Sequence, residues 1–421
     1  MKVLVIGAGA VGVATAYYLH RHGCEVALID ANPAPGMEAS LGNGGCIHAN
    51  VVPPWNEPSG YREIVRGLLG RPSHLVVRYR ALPSLLGWGL NFLRHSTEGR
   101  FLEGARRLTR LGKHSLACFQ QIAAETGINF HHRERGFLRV FRDTSSLEGV
   151  TELSQKLSSD GAEFRVLTTE ETIELEPALA GIEPNIAGGL YSQTDQSGDA
   201  AAFCRHLTAW LVEQGVTSHL GESVRVIRRV GQAFHLQTQT GAEYGADRVV
   251  LATGSDSPVL ARQLGVKLPI RPAKGYSITL PAEDWLSAPR VPLVDTGVGV
   301  GIHNIGERHL RVVGGAEFAG YDRRIPMGKG DYLLSCLKAV FPDFAGPETV
   351  VDEDVWCGFR PVPAHGLPII GNSGTPNFYL NTGHGYMGWT MSAASGSVLA
   401  DHIVGKQPAL PLHEYGHPYG G

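Results

Sequence analysis

Near its start the chain reads Lys2-Val-Leu-Val-Ile6-Gly7-Ala-Gly9-Ala-Val-Gly12, and an alanine-rich stretch follows as far as His20. The apolar run predicts a buried strand, and the glycines predict a tight turn that opens a helix. Gly7 permits the turn, Gly9 lets the backbone approach a pyrophosphate, and Gly12 lets helix and strand pack closely. Because the amides at a helix N-terminus attract anions, the stretch predicts a Rossmann-like dinucleotide site.

The second strand of this unit ends in an acid. Glu25-Val-Ala-Leu-Ile-Asp30 is again largely apolar, and the carboxylate of Asp30 can accept hydrogen bonds from an adenosine ribose. A negative charge there disfavours a 2′-phosphate, so NADP is not expected. The motif leaves NAD and FAD open, and its alternative is a glycine-rich structural turn. The cofactor contacts expected in this region are Gly7, Gly9, Ala10, Val11, Gly12, Asp30, Ala31 and Asn32.

Composition narrows the class of protein. The chain has 421 residues, more than one core usually holds, so two domains are expected. A net charge of −3 gives no support to nucleic-acid binding. The six cysteines are scattered without a CxxC pair, which argues against a metal site or a disulfide framework and for the reducing cytoplasm. We expect no signal peptide, and no apolar run reaches the roughly 18 residues that a membrane helix needs.

The rest of the chain alternates between strand-like and helical patterns. Apolar and polar residues nearly alternate, as in half-exposed antiparallel strands, over residues 137–141, 234–238, 276–280 and 310–313. Helices are predicted over residues 106–126, 147–159, 199–214, 330–341 and 387–404. The sequence therefore predicts an antiparallel sheet with helices besides the dinucleotide-binding unit.

One segment in the middle of the chain has the pattern of a strand and turn that return to the dinucleotide-binding unit. It reads Arg248-Val-Val-Leu-Ala-Thr-Gly254, and Ala252, Thr253 and Gly254 are expected beside the cofactor. We also predict a strand over residues 221–224, with Val224 as an apolar seat for the adenine. Taken alone, both segments are also typical of ordinary core strands.

Five motifs together identify a family. Three lie near the C-terminus: Trp356-Cys-Gly-Phe-Arg360-Pro-Val-Pro, Gly366-Leu-Pro-Ile-Ile-Gly371 and Asn377-Phe-Tyr-Leu-Asn-Thr-Gly383-His-Gly385-Tyr-Met-Gly388-Trp-Thr-Met. Two lie earlier: Glu38-Ala-Ser40-Leu-Gly-Asn43-Gly-Gly45 and Pro272-Ala-Lys274-Gly275-Tyr276-Ser277. In this order they closely resemble the D-amino acid dehydrogenases, FAD enzymes within the D-amino acid oxidase and glycine oxidase group. The resemblance runs from Met1 to about Leu410.

The resemblance implies an α/β fold in two parts. A Rossmann-like FAD-binding domain of the glutathione-reductase type would be assembled from residues 1–60, 195–260 and 350–421. A substrate domain with a mostly antiparallel sheet and helices would take residues 61–194 and 261–349. The implied reaction is oxidation of a D-amino acid to its imino acid by hydride transfer from Cα to flavin N5. Water then hydrolyses the imino acid to a 2-oxo acid and ammonia.

The resemblance also implies roles for individual residues. Arg360 would hold the substrate carboxylate by two parallel hydrogen bonds, a geometry that lysine cannot copy. The helix after Gly385 would direct its positive end at the pyrimidine oxygen of the flavin. The further cofactor residues are Ser40, Leu41, Asn43, Gly44, Gly45, Gly358, Gly383, His384, Gly385, Tyr386, Met387, Gly388, Trp389 and Thr390.

Other side chains are expected to shape the substrate pocket, and these are His48, Lys274, Tyr276, His303 and Tyr386. For each, packing alone is an equal alternative, since histidine and tyrosine are commonly half-buried. The reaction demands no general base if the substrate amine binds deprotonated, because the flavin carries the hard chemistry.

The chain departs from the family on the substrate side. After Asn43 the dehydrogenases usually continue Ala-Gly-Gln-Ile, whereas this chain has Gly44-Gly45-Cys46-Ile47, and His365 replaces a common Asp. FAD binding should survive both changes, but broad D-alanine activity is in doubt. A cyclic D-imino acid such as D-proline or its hydroxylated form is therefore a further expected substrate.

Residues 62–110 hold ten arginines against three acids, interleaved with leucines. Such a stretch is typical of a peripheral contact with an anionic bilayer, here the inner face of the cell membrane, which fits electron transfer to a quinone or respiratory-chain acceptor. Its alternative is the solvated face of an ordinary helical subdomain. Two other functions stay open: a flavin oxidase of glycine, sarcosine or D-amino acids that releases hydrogen peroxide, and a non-catalytic dinucleotide-binding sensor.

Overall fold

The computed structural model describes residues 1–58, 60, 75–283, 285, 287–306 and 308–416. Part of the arginine-rich stretch, including Arg62, Arg66 and Arg71, lies outside the described residues. Within the described residues, no helix combines the length and the hydropathy that a bilayer crossing requires.

Strands and helices are numbered in chain order over the described residues. The strands are β1 Lys2–Ile6, β2 Glu25–Asp30, β3 Cys46–Ile47, β4 Leu75–Val77, β5 Phe137–Phe141, β6 Arg165–Leu167, β7 Gly188–Ser192, β8 Gln196–Ser197, β9 Thr217–Leu220, β10 Val224–Val230, β11 Ala233–Thr238, β12 Glu243–Ala246, β13 Arg248–Leu251, β14 Ile270–Pro281, β15 Leu293–Asp295, β16 Val300–Ile305, β17 His309–Phe318, β18 Trp356–Pro363, β19 Ile369–Asn372 and β20 Phe378–Thr382. The helices are α1 Ala10–Arg21, α2 Leu82–His95, α3 Glu98–Thr126, α4 Thr144–Leu157, α5 Thr169–Leu175, α6 Ala200–Glu213, α7 Ser257–Ala261, α8 Lys329–Val340 and α9 Gly388–Ile403. The predicted helices agree with these bounds to within a few residues, except that α3 begins well before Arg106.

A parallel sheet joins the two ends of the chain. Its order is β19-β20-β13-β1-β2-β9, and its neighbouring strands are parallel except for β19 and β20. Its central strands are buried on both faces, which explains why they are nearly continuous apolar runs in the sequence. The predicted Rossmann-like α/β unit is confirmed.

Helices cover one face of the parallel sheet, and a small sheet covers the other. α1 and α9 pack so closely that a Cβ at Gly396 would lie 2.8 Å from the Ala14 carbonyl carbon. α3 packs on α9, where the Ser115 hydroxyl accepts a hydrogen bond from the backbone N–H of Ala394 at 3.2 Å. On the opposite face, β10, β11 and β12 form an antiparallel sheet whose apolar side packs against β1 and β13.

The turn before β10 corrects one prediction. Residues 221–223 are not a strand, because Gly221 takes a left-handed backbone with φ of +77° and turns the chain between β9 and β10. The strand begins only at Val224.

The second large sheet is mostly antiparallel, as predicted. Its order is β18-β14-β17-β16-β15-β5-β7-β6, with β4 beside β17. The parallel pairs are β15 with β5 and β17 with β4. One face buries an apolar core against α8, in which Leu293 and Val312 lie with Leu333 and Leu337. The other face is therefore left to meet the parallel sheet.

Candidate active site

A cavity of about 960 Å³ lies between the two large sheets. On one side its wall is formed where β1, β2, β13 and β20 of the parallel sheet end. Ligands in open α/β folds bind at this carboxyl edge of the strands. On the other side the wall is the face of the antiparallel sheet that does not carry the apolar core, from β5 across to β18. The volume lies at the upper end of the range for ligand sites.

The glycines of the first turn have separate roles. A Cβ at Gly7, whose φ is +111°, would lie 2.5 Å from the Ala252 carbonyl oxygen, and one at Gly12 would lie 1.8 Å from the Gly7 carbonyl oxygen. The fold itself therefore requires both glycines. A Cβ at Gly9 would meet only the Ser40 hydroxyl at 3.6 Å. Gly9 instead keeps the cavity wall open at the start of α1.

Asp30 orders the backbone at the cavity edge. One carboxylate oxygen accepts a hydrogen bond from the Ala8 N–H at 2.7 Å, and the other accepts one from the Asn32 N–H at 2.8 Å. A carboxylate oxygen has room for further bonds. The predicted bond from Asp30 to a ribose stays a prediction, and the acid has a second role that the motif did not indicate.

The loop after Glu38 is held on both sides of the cavity. The Ser40 hydroxyl accepts a hydrogen bond from the Ala10 N–H at 3.2 Å, and the Asn43 side-chain oxygen accepts one from the Gly45 N–H at 2.8 Å. Arg311 of the antiparallel sheet donates to the carbonyl oxygens of Leu41 at 2.9 Å and Asn43 at 3.1 Å. These bonds fix the position of the loop in the cavity wall.

The start of α9 forms another part of the cavity wall. Trp389 donates from its ring nitrogen to the Gly45 carbonyl oxygen at 3.3 Å, and the Thr390 hydroxyl donates to the Cys46 carbonyl oxygen at 3.4 Å. No side chain caps the first turn of α9, and a 3-10 turn over Gly385–Met387 leads directly into it. His384 is buried, its Nε2 has no partner among the described residues, and burial lowers its pKa to about 3. These groups fit a large ligand with polar edges and phosphates.

The structure brings most of the predicted cofactor residues to the cavity wall. Those that line it are Gly7, Gly9, Ala10, Val11, Asp30, Ala31, Asn32, Ser40, Asn43, Gly44, Val224, Ala252, Thr253, Gly254, Gly358, His384, Gly385, Tyr386, Gly388 and Trp389. Those that do not line it are Gly12, Leu41, Gly45, Gly383, Met387 and Thr390. Direct contact with a cofactor stays a prediction for each.

Arg360 lies on β18 and faces the cavity. Its side chain crosses the neighbouring strand β14 at Gly275, where a Cβ would lie 2.3 Å from Nη1, and donates to the Gly315 carbonyl oxygen of β17 at 2.8 Å. Gly358 makes room in turn for Trp356, since a Cβ there would lie 2.0 Å from the indole ring. Among the described residues, no carboxylate forms an ion pair with Arg360. Burial lowers its pKa to about 10, so the guanidinium is protonated at neutral pH.

An aromatic wall lines the same cavity as Arg360. Tyr386 stacks on Trp55 with ring centroids 5.7 Å apart and lies 6.4 Å from the ring of His48, which stacks on Phe137 at 4.9 Å. The Tyr386 hydroxyl donates to the Pro53 carbonyl oxygen at 2.6 Å. Burial lowers the pKa of His48 to about 3, so this imidazole is neutral at physiological pH.

Lys274, Tyr276 and His303 are less well placed for substrate contact. Tyr276 reaches the cavity wall, but its hydroxyl donates to Glu317. Lys274 is buried and does not line the cavity, and its amine donates to the Arg324 carbonyl oxygen at 2.9 Å. His303 fills the space that Gly45 leaves, as a Cβ at Gly45 would lie 2.2 Å from its ring. The geometry favours packing roles for Lys274 and His303.

Sequence reasoning missed Arg139 of β5. Phe137, Arg139 and Phe141 line the cavity, while Leu138 and Val140 face the apolar core. The strand itself was predicted, and its period-two alternation places the arginine on the face opposite the core. That alternation could have indicated a cavity-facing cation. The sequence did not show that this face of the strand borders the cavity.

Comparisons with known proteins agree with this geometry. The family described as FAD dependent oxidoreductase matches residues 2–402. A D-amino acid dehydrogenase of Paramagnetospirillum magneticum is 36% identical, over 99% of this chain and 98% of the relative. A D-amino acid dehydrogenase of Methylobacterium nodulans is 38% identical, over 98% of this chain and 97% of the relative.

Solved structures share the fold. L-proline dehydrogenase from P. horikoshii is similar with a TM-score of 0.77 and 17% identity, over 99% of this chain and 96% of the other. Glycine oxidase from Geobacillus kaustophilus is similar with a TM-score of 0.73 and 21% identity, over the whole of both chains. Since the family match covers nearly the whole chain, this protein belongs to the FAD dependent oxidoreductase family.

Proposed function

We propose that the protein is an FAD-dependent dehydrogenase that oxidises a D-amino acid, or a cyclic D-imino acid such as D-proline, to the corresponding imino product. The observation that carries this proposal is the guanidinium of Arg360, which faces the cavity without a carboxylate partner among the described residues. The similarity to D-amino acid dehydrogenases over nearly the whole chain supports the choice of substrate class.

The residues at the two ends of the chain fit FAD. The start of α1, with Gly9 and Ala10, would lie at the pyrophosphate, and Val224 would lie under the adenine. The uncapped start of α9, with His384 and Gly385, would lie at the flavin ring. When bound, FAD supplies the acceptor for the hydride that leaves the substrate Cα. Helix N-termini stabilise negative charge nearby, which favours this electron uptake.

The protein contributes orientation and exclusion of water. Arg360 would hold the substrate carboxylate by two parallel hydrogen bonds and thereby fix the direction of the Cα hydrogen. The aromatic wall of Trp55, Tyr386 and His48 would shield that hydrogen from solvent. His48 and His384 are neutral at physiological pH, so neither adds a positive charge that would repel the substrate amine in its protonated form.

The experiment that tests this proposal is an anaerobic titration of the purified protein, followed by flavin absorbance. D-alanine, D-proline, D-hydroxyproline, D-aspartate and D-glutamate are each compared with the L enantiomer. We expect at least one D compound to bleach the flavin at a concentration where its enantiomer does not. Bleaching by the L compounds alone would overturn the proposal. Failure of every compound would favour the non-catalytic sensor. Peroxide production in air at the rate of turnover would favour the oxidase.

We propose that the electron acceptor is a quinone, reached through peripheral contact with the inner face of the cell membrane. α2 exposes a stripe of Leu86, Leu90 and Leu93, with exposed fractions of 67%, 64% and 48%. These leucines share one helical face, and Arg80 and Arg94 lie on the same segment. An exposed apolar stripe with basic neighbours suits an anionic bilayer.

Liposome sedimentation tests the membrane contact. We expect binding to vesicles that contain anionic lipid, weaker binding at high salt, and loss of binding in a Leu86→Ser, Leu90→Ser double variant. Val212→Ser is the control, because Val212 is 49% exposed on α6, far along the chain from the stripe. Equal recovery of all three proteins in the supernatant at low salt would argue against the contact.

A further inference from the structure

A second guanidinium faces the cavity. Arg139 lies on β5, between Phe137 and Phe141 on the same strand face, and all three residues line the cavity. Its Nη2 donates to the Val51 carbonyl oxygen at 2.6 Å, and its Cζ lies 5.9 Å from the centre of the Phe137 ring. The bond to Val51 uses one of the five N–H donors of the guanidinium, and the side chain lines the cavity.

Arg139 has no ion-pair partner among the described residues. The carboxylate whose charge acts on it is Asp195, which is fully buried. One oxygen of Asp195 already accepts hydrogen bonds from the Ala49 N–H at 2.8 Å, from the Asn50 N–H at 3.2 Å and from the Asn50 side chain at 2.7 Å. Asp195 therefore holds the loop of residues 49–50 through this oxygen, and neither of its oxygens forms a hydrogen bond or an ion pair with Arg139.

The two cavity arginines belong to one continuous wall. Arg360 is bonded to β17 through Gly315, and Phe318 at the end of β17 lies 6.5 Å from the ring of Trp55. Trp55 stacks on Tyr386, and both Tyr386 and His48 lie close enough for Arg139 to influence their charge. Both guanidinium groups therefore line the cavity that contains this aromatic wall, and one ligand could meet both.

A desolvated cation without a partner is costly, and proteins retain one where a ligand supplies the opposite charge. Arg360 is assigned to the α-carboxylate of the substrate. We infer that Arg139 binds a second carboxylate, on the substrate side chain, so that the preferred substrate is an acidic D-amino acid. This inference rests on the proposed function and specifies its substrate class. A bidentate guanidinium would also discriminate a carboxylate from the isosteric amide.

The test compares acids with their isosteric amides on the holoenzyme, using an artificial electron acceptor. The acids are D-aspartate, D-glutamate and D-2-aminoadipate, which differ from one another by single methylene groups, and the amides are D-asparagine and D-glutamine. We expect one acid to have a kcat/KM at least about tenfold above that of its amide. Arg139→Gln should lower kcat/KM for that acid by about 100-fold, mainly through KM, and for the amide by less than about threefold. Arg139→Lys should restore part of the loss.

Arg133→Gln is the matched control. Arg133 also donates to a backbone carbonyl oxygen, that of Gly306 at 2.8 Å, but it does not line the cavity. Flavin content and thermal unfolding are measured for each variant. A wild-type preference for the amide, an equal loss on acid and amide in Arg139→Gln, or loss of flavin from that variant would each overturn the inference.

A binding measurement separates this inference from the proposed function. Glutarate and butyrate are not oxidised, and their binding is followed by the change in flavin absorbance. We expect tighter binding of glutarate in the wild type and similar binding of the two in Arg139→Gln. If neutral D-amino acids are oxidised without any preference for an acid, the proposed function stands and the inference fails. If no D-amino acid bleaches the flavin, the proposed function fails, and the inference fails with it.

Discussion

The two walls of the cavity are built in different ways. The cofactor wall is formed mainly by three turns, each of them a continuous stretch of sequence: one after β1, one around Ser40 and one before α9. It presents mainly backbone and small side chains. The substrate wall is formed by single residues from separate strands, among them Arg139 on β5 and Arg360 on β18. The comparison shows that a site made of backbone can be recognised in the sequence by its local pattern of glycines. A site made of single side chains from several strands has no such local sequence pattern.

The largest effect should come from a change that breaks the cofactor wall. In Gly12→Ala the new Cβ would lie 1.8 Å from the Gly7 carbonyl oxygen, so we expect a loss of more than about 3 kcal/mol of stability. Measured flavin content and the unfolding transition should both fall. Gly9→Ala should keep the fold and weaken flavin binding only. Gly87→Ala in α2 is the control, because a Cβ there meets nothing within 4 Å. Normal flavin content in Gly12→Ala would contradict the close packing of α1 on its turn.

The next effect concerns the substrate wall alone. Arg360→Lys keeps the positive charge but loses the two parallel hydrogen bonds, so kcat/KM for a D-amino acid should fall by about 100-fold with the flavin retained. Steady-state kinetics with an artificial acceptor measure the loss. Arg271→Lys, on the adjacent strand β14 but outside the cavity wall, should leave turnover unchanged. Equal rates in all three proteins would show that the carboxylate is bound elsewhere.

A smaller effect concerns how the stability of the protein depends on pH through Asp195. Burial raises the pKa of Asp195 to about 7 from its ordinary value near 4. Between these two pH values the folded protein therefore holds a proton on Asp195 that the unfolded chain has lost. Stability from this group is therefore present at low pH and lost as pH rises through about 7. Between pH 5.5 and 8 the wild type should lose about 2 kcal/mol of unfolding free energy more than Asp195→Asn. Denaturant unfolding at the two values measures the difference, and parallel curves would rule out a protonated Asp195.

The smallest effect concerns the aromatic wall. Tyr386→Phe removes the hydrogen bond to Pro53 and should cost about 1 kcal/mol, together with a rise in KM of a few fold because the ring is less well fixed. Tyr191→Phe is matched, since that hydroxyl also donates to a backbone carbonyl oxygen, at 3.1 Å, and does not line the cavity. It should lose similar stability with no change in KM. A change in KM in both variants would remove the special role of Tyr386.

The difference between the walls also explains which predictions succeeded. β1, α1, β2 and α9 were predicted closely, because a buried strand or helix imposes its own periodicity on the residues that form it. The strand over residues 221–224 was wrong, since Gly221 has a conformation that apolar neighbours do not indicate. Asp30 was expected at a ribose, and its bonds to Ala8 and Asn32 were not foreseen, because they depend on how two turns meet.

Local order along the chain was enough to predict the dinucleotide-binding unit, because spacing and glycine placement in a turn are directly constrained by backbone geometry. The resemblance carried by five ordered motifs added FAD, the family and Arg360 as the candidate carboxylate ligand. Only the packed sheets decided that Lys274 and His303 do not line the cavity and that Arg139 does. Strand pairing brings together residues from distant parts of the chain, and the face that each strand presents depends on what covers the sheet.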